Sequence, residues 1–565
     1  MPGGLQTTFD VLAATRNEAA VSVLLPALDS EQRAVQEGAL RALLARRSAA
    51  GHRELVQRWD ALGERARSIV VERAERLSGA VRDALLSSDP RLCANACDVL
   101  LRIHEYDLVP VLVGVAEDDA NPNCDLAAQT LLRLAELLYD ELAAPRDYQN
   151  RRDPQLIRQH VVTSLEATLQ RFDRHKRPEA VEALLMLAGR ENATLKRLLQ
   201  NPHEGAYLAA IDLLNNSPRP GVMRLILSFL DDPHAPLAII NVLTHRGDRA
   251  FVRHLLNKIG HELTSTMRAN IRRMESLSWL HGDLAILDAL DDKQQDALVQ
   301  LVVGSGMKRV QAFGLLQLIL RTGRVGGRRA ASLALAGFTG SHANQLVIEG
   351  LEDDDPQVVA NLLEQVRKRG IPGALTRLME FVDSPHPEVC RAVQRSLSEF
   401  SFSRFLAAFD MLDEKVRGST GWLVRKVDPT TVSALAAELS AEGRSRRLRA
   451  LAVAPYACAV DDLCGRIVEL LSDADHFVRA AAAQALGHSS SADAQQALRM
   501  ALLDRSVTVQ EAAEASLQAI ATRGAAAAQE GESLDLKQIA AGLGSVPESD
   551  APKDAPRSAD REGVS

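Results

Sequence analysis

The chain has 565 residues, of which 46% are hydrophobic and 25% charged, the balance of an ordinary folded soluble protein. Aromatic residues make up only 4%, which argues against a β-sandwich, a barrel or a surface that stacks single-stranded bases. The formal net charge of −8, from 66 basic and 74 acidic side chains, favours solubility and demands no polyanionic partner.

Taken from the start, MPGGLQTTFD lacks a basic residue followed by an apolar run, and no later stretch approaches ~18 consecutive apolar residues. A cytoplasmic chain that neither leaves the cell nor spans a membrane is expected. Six cysteines, Cys93, Cys97, Cys124, Cys390, Cys458 and Cys464, contain no CxxC pair, so neither a disulfide framework nor a zinc ribbon is indicated.

After an N-terminal segment 1–17, amphipathic helices are expected from residue 18 to residue 522. Short turns punctuate them: SSDP ending at Pro90, Asn-Pro at Asn121 and Asn201, DDP at Asp231, DDDP at Asp353 and SPHP at Ser384. Proline suits the first turn of a helix and Asp or Ser suits the cap before it, so each tetrapeptide closes one helix and opens another. Residues 145–177 break the rhythm with a polar loop and then a long helix, read as an insertion near 143–153.

Further along, ALTRLMEFV places Leu375, Leu378, Met379 and Val382 on one helical face, and Val389, Val393 and Leu397 stripe the next helix. No period-two β-branched run with hairpin turns occurs. Toward the C-terminus the pattern becomes a visible repeat: LCGRIVELLSDADHFVRAAAAQALG is followed by AQQALRMALLDRSVTVQEAAEASLQAI. Aligning them sets Arg479 on Gln510, and the same template walks back to Arg449, Arg417, Arg391, Ala360 and Arg329 in steps of 26 to 32 residues. Beyond 523 the chain turns rich in Ala, Ser, Gly, Pro and acids and is expected to be a disordered tail, 523–565. Within it Leu534, Leu536, Ile539, Ala540 and Leu543 could form one short amphipathic helix and a docking motif.

These paired helices with Asp-centred turns resemble the HEAT-repeat, armadillo-like family, best between Gln345 and Ile520. The resemblance implies an all-α fold, a right-handed superhelical solenoid of about sixteen antiparallel helix pairs, and a scaffold or adaptor that grips a protein partner on a concave face of second helices. Independently of the family, one pair of about thirty residues buries too little apolar area to fold alone, so cohesion must come from stacking on neighbours.

The recurring arginine could form a cationic column for an anionic ligand. Pairing with turn aspartates is the better expectation, Asp473 with Arg479 and Asp410 with Arg417, the pairing this family typically shows. A second electrostatic feature is an absence: from Ala297 to Ile348, 52 residues carry no acid while Lys308, Arg309, Arg321, Arg324, Arg328 and Arg329 are present. There RTGRVGGRR offers backbone N–H groups beside cations, a landing point for phosphate or carboxylate, and these six residues are the candidate partner-binding site. A weaker basic cluster spans Pro145 to Arg177. Nucleic-acid binding through 308–329 is the alternative reading, without interleaved aromatics to support it.

No catalytic signature emerges, and no catalytic, metal or cofactor residues are assigned. HEAT-like deoxyhypusine hydroxylases hold iron with four His-Glu dyads; this sequence has three, His104-Glu105, His203-Glu204 and His261-Glu262, in dissimilar contexts. A HEAT-like lyase, or a protein associated with one, is a second alternative that the fold permits and no residue supports. The expectation is a non-catalytic scaffold with a protein partner, no cofactor, no membrane and no small-molecule substrate.

Overall fold

The computed structural model describes residues 3–46, 48–73, 77–145, 153–261, 263–280 and 285–527. The expected tail beyond 527 and part of the insertion, 146–152, lie outside the described residues. Among those described, 34 α-helices and several short 3₁₀ turns occur and no strand, close to the helix count of the expected pairs. Contacts divide the chain into two units, Met1–Ala330 and Ala331–Ser565.

In the first unit the helices stack pair on pair. Ser78–Leu85 lies against Pro90–Ile103 and Val109–Glu117 against Cys124–Ala143, while the second helices form their own row. In that row Pro90–Ile103 packs on Cys124–Ala143, which packs on Pro178–Leu187, which packs on Pro220–Ser228. The segment expected to precede the repeats also holds a packed helix. Helix Gly3–Ala14 packs on Arg33–Ala45 with Phe9 buried against Gly38, where any Cβ would fall 2.3 Å from the ring.

The second unit repeats the scheme. Pro356–Val366 packs on Pro387–Ser396, and Arg444–Val453 on His476–Leu486, which in turn packs on Val507–Ala527. From Phe402 and Phe405 onward one apolar core runs on, by Val424, Leu435 and Val453, to Leu486, Leu498 and Val509. Each pair therefore completes the core of its neighbours, the arrangement that repeats too small to fold singly require.

The Asp-Pro junctions behave as local chemistry dictates. Asp89, Asp153 and Asp355 stand before Pro90, Pro154 and Pro356, and each carboxylate accepts the N–H two residues on, at 3.0, 3.0 and 3.1 Å. Pro122, Pro202 and Pro233 depart from expectation: they sit in turns, and the next helices begin at Cys124, Tyr207 and Leu237. There Asn121, Asn201 and Asp232 accept the N–H of Asn123, His203 and His234 across the proline, closing a turn instead of capping a helix.

Candidate partner-binding surface

Part of the arginine column turns into the repeat, while Arg329 and Arg391 are exposed. Arg479, with a side chain 5% exposed, donates from Nη1 to the carbonyls of Asp473 and Ala474 at 2.9 and 3.2 Å. Its Nε and Nη2 meet both carboxylate oxygens of Asp504, in the following turn, at 2.9 and 3.1 Å. Arg447 repeats this one pair earlier: Nη1 holds the carbonyls of Ala441 and Glu442 at 2.8 and 2.7 Å, and Nε lies 3.0 Å from the Asp473 carboxylate. At Gln510 the amide keeps only the carbonyl half of the device, donating to Asp504 O at 2.6 Å.

Two expectations are thereby corrected. The residue equivalent to Arg479 is Arg447, not Arg449, whose Nη2 instead reaches back to Asp410 at 2.8 Å. Arg447 and Arg479 each take backbone carbonyls from their own turn and a carboxylate from another turn, because a side chain starting on the second helix lies directly over the turn's last carbonyls. Arg417 accordingly binds the carbonyls of Phe409 and Asp410 at 2.9 and 3.3 Å, with its guanidinium 4.6 Å over the Phe409 ring, and leaves the Asp410 carboxylate to Arg449. The exposed Arg391 donates only to Pro387 O at 3.2 Å.

A second arginine series escaped the sequence reading. Arg46 holds Leu12 O and Thr15 O at 2.6 and 2.8 Å, Arg246 holds Leu214 O and Ser217 O at 2.8 and 2.6 Å, and Arg369 holds Leu335 O and Phe338 O. Each sits at or just past the end of one helix and satisfies carbonyls at the end of an earlier one. The sequence signal, an arginine after a helix's last turn, is too common to single out.

The six basic residues of the candidate site do not form one patch. Lys308 and Arg309 open helix Arg309–Thr322 and Arg321 closes it, about 18 Å away at 1.5 Å rise per residue. Arg324, Arg328 and Arg329 follow in the next turn and the first part of Val325–Ala334. The glycine loop expected to present N–H groups spends two of them internally. Arg324 N–H donates to Gln295 Oε1 at 2.7 Å and Gly326 N–H to Asp292 Oδ1 at 3.1 Å. A Cβ at Gly326 would lie 2.3 Å from Asp292 O, and one at Gly327 2.5 Å from Gln295 Oε1, so these glycines permit close helix approach. Asp292, just before the acid-free stretch in sequence, thus re-enters it in space. In the weaker cluster, Arg171 pairs with Glu117 at 2.8 Å and Arg177 with Asp119 and Asp125.

The His-Glu dyads stay apart. Glu105 accepts from Ser78 Oγ at 2.7 Å, His104 Nδ1 meets Glu141, Glu204 meets Arg197 at 3.4 Å, and Glu262 lies outside the described residues. Among the described residues no three His, Cys, Asp or Glu side chains gather as a metal site. No described helix is long and apolar enough to cross a membrane. Buried Cys93 and Cys97 share a helix face, and the hydrogen bond between them together with burial pushes the Cys93 thiol up.

Two open clefts lie along the rows of second helices. One, of about 500 Å³, runs in the first unit beside Arg133, Glu136, Tyr139 and Arg219. Arg219 pairs there with Glu136 and, at 3.0 Å, with Glu182, while burial and the neighbouring Arg133 charge hold its guanidinium below its usual range. The other, of about 440 Å³, crosses Glu414–Val427, Arg444–Val453 and His476–Leu486, over Leu448, Ala452, Pro455, Tyr456 and Ala481. Its floor is set by a close approach: a Cβ at Gly421 would fall 2.2 Å from Tyr456 O. At its rim exposed Cys458 takes a left-handed φ of 49°, and His488 is held below the ordinary histidine range by burial and then by the charge of Arg523.

Stacked helix pairs, inward-facing polar staples and clefts along the second helices together define a helical-repeat protein. Its family resemblance is borne out between residues 429 and 518, which match the model of the HEAT repeats. No curated protein matches the sequence. Among solved structures, Kap121p is similar at 12% identity and a TM-score of 0.27, covering 92% of this chain. This chain spans 57% of the length of that one. The full-length AP-3 complex in an intermediate open conformation is similar at 12% identity and TM-score 0.34, covering 95% of this chain and 97% of that one. A structure of the phosphorylation switch between cadherin and beta-catenin is similar at 13% identity and TM-score 0.28, covering 89% of this chain and 99% of that one. Likenesses this distant carry no function across.

Proposed function

We propose that this chain is a non-catalytic HEAT-type scaffold that holds a protein partner along its second helices. The observation that carries the reading is the cleft of about 440 Å³ in the second unit. The nearby arginines Arg417, Arg447 and Arg479 are spent on turn carbonyls and on phenyl or carboxylate partners inside the repeat, and the cleft's own polar lining is Glu414, Gln484 and His488. Between those polar groups lie half-exposed Leu448, Pro455 and Tyr456 beside open Ala452, an apolar strip suited to a partner's helix or extended segment. In the first unit, Arg321, Arg324, Arg328 and Arg329, with Lys308 and Arg309 at the far end of the helix Arg309–Thr322, are the separate contact for an anionic ligand. A cytoplasmic setting suits free thiols such as exposed Cys458.

Affinity capture with the intact chain tests this. A stoichiometric protein that is lost with Ala452→Arg and weakened by Arg321→Glu plus Arg324→Glu supports it. Salt-sensitive retention of DNA or RNA, abolished by the same Arg→Glu changes and with no co-purifying protein, would replace it with the nucleic-acid reading.

A further inference from the structure

The cleft in the second unit has a candidate occupant in the same chain. Helix Val507–Ala527 runs alongside His476–Leu486, and a Cβ on Gly487 would touch Ser516 Oγ at 2.8 Å, so Ser516 is level with the end of the shorter helix. Eleven further residues project beyond that level, about 16 Å at helical rise. The chain thus leaves its last described helix about 16 Å past the level of Gly487, whose neighbour His488 lines the cleft. Consistently, the charge of Arg523 is felt at both His488 and Asp461.

Six residues lie between Ala527 and Leu534, seven Cα-to-Cα steps that reach up to about 23–25 Å when extended. Returning to the level of His488 takes about 16 Å along the axis and about 8–10 Å across to the neighbouring helix, about 19 Å in all, which this reach covers. The segment beginning there, LDLKQIAAGL, sets Leu536, Ile539, Ala540 and Leu543 at i, i+3, i+4 and i+7, one apolar stripe of a helix. The strip it would meet, Leu448, Ala452, Pro455, Tyr456 and Ala481, lies on helices Arg444–Val453 and His476–Leu486 and the turn between them, with Glu414 and Gly418 of a third helix at its edge. Groove and stripe are the two halves of helix-in-groove recognition.

We infer that residues 534–543 seat this stripe in the cleft over Leu448, Ala452 and Tyr456 of the same chain. Tethering makes the contact intramolecular, at an effective concentration of order millimolar, so an affinity of only some hundreds of micromolar fills the cleft most of the time. A protein partner at the same strip has to displace the segment, which makes the segment a built-in competitor. That consequence rests on the scaffold reading, whereas the docking itself does not.

Cys458, exposed at the cleft rim, is the reporter, and Cys390, outside the cleft, is the internal control. Alkylation by iodoacetamide is followed by peptide mass spectrometry on three proteins: the full chain, a chain ending at Ala527, and the full chain with Ile539→Asp and Leu543→Asp. In the full chain Cys458 is expected to react about three- to tenfold more slowly than in the other two, at every protein concentration, with Cys390 unchanged. Equal Cys458 rates in all three proteins would overturn the inference. So would protection that grows with concentration, which marks a second copy, or protection that survives the double aspartate variant, which marks another part of the tail. No external partner enters the measurement, so its failure leaves the scaffold reading standing and failed capture leaves this one standing.

Discussion

Arg479 and Asp504 stand 25 residues apart in sequence and meet through two hydrogen bonds, of 2.9 and 3.1 Å, that join consecutive turns of the repeat. The same guanidinium closes the carbonyls of its own turn, so one side chain fixes both a turn and the spacing to the next.

Removing Arg479 leaves the Asp504 charge and two carbonyls without compensation, and removing the Asp504 charge leaves an enclosed guanidinium with carbonyls alone. Arg479→Met is expected to destabilise the second unit by about 3 kcal/mol, and Asp504→Asn by a similar amount. In a double-mutant cycle read by urea unfolding, the two losses should fall well short of adding. Additive losses would dismiss the staple.

Arg447 and Arg449 separate register from proximity. Arg447 holds two turn carbonyls and the Asp473 carboxylate with a side chain 17% exposed, whereas Arg449 makes a surface pair with Asp410 at 38% exposure. Arg447→Ala should therefore cost about 2–3 kcal/mol and Arg449→Ala under about 1. Thermal melts of the two variants give the order directly, and equal shifts would contradict the assignment.

Gln295 is 1% exposed and bonds twice across the glycine loop, to Leu287 O at 2.9 Å and from Arg324 N–H at 2.7 Å. Gln295→Ala should cost about 1–3 kcal/mol by stranding both groups. The amide proton of Arg324 should then exchange with solvent markedly faster, a readout that a simple loss of packing elsewhere would leave unmoved.

Acid should weaken the second unit in two stages. The hydrogen bond from Arg479 holds the Asp504 carboxyl below the ordinary range, so the unfolded chain takes up that proton first. The associated stability is complete above about pH 3.9 and is lost as pH falls through the lower folded value. His488, depressed by burial and Arg523, adds a penalty that grows as pH drops from about 6.5 toward its own folded value. Denaturation midpoints measured from pH 7 to 3 should show both slopes, with His488→Gln removing the upper one and Asp504→Asn flattening the lower.

At Gly421 a methyl group would meet the Tyr456 carbonyl at 2.2 Å, backbone against backbone. Gly421→Ala should cost about 1–3 kcal/mol and spread the helices that floor the cleft. Faster alkylation of Cys458 in the chain ending at Ala527, compared with the same chain carrying Gly421, is the accompanying expectation.

Much of this molecule could be read from residue order alone. Helix, turn and period depend on interactions within a few positions, and the apolar spacing of Val389 and Val393 or the Asp355-Pro356 junction states them outright. Because each pair must bury its face on the next, the repeat also implied stacking. Tertiary structure decided what spacing could not. Arg447 displaced Arg449 because two residues along a helix turn a side chain by about 200°, a difference that a degenerate alignment does not register. Asp292 and Gln295 occupied the glycine loop's amides because they arrive from a neighbouring helix about thirty residues earlier. The arginines at 46, 246 and 369 found their partners in carbonyls, which every residue possesses and no sequence distinguishes.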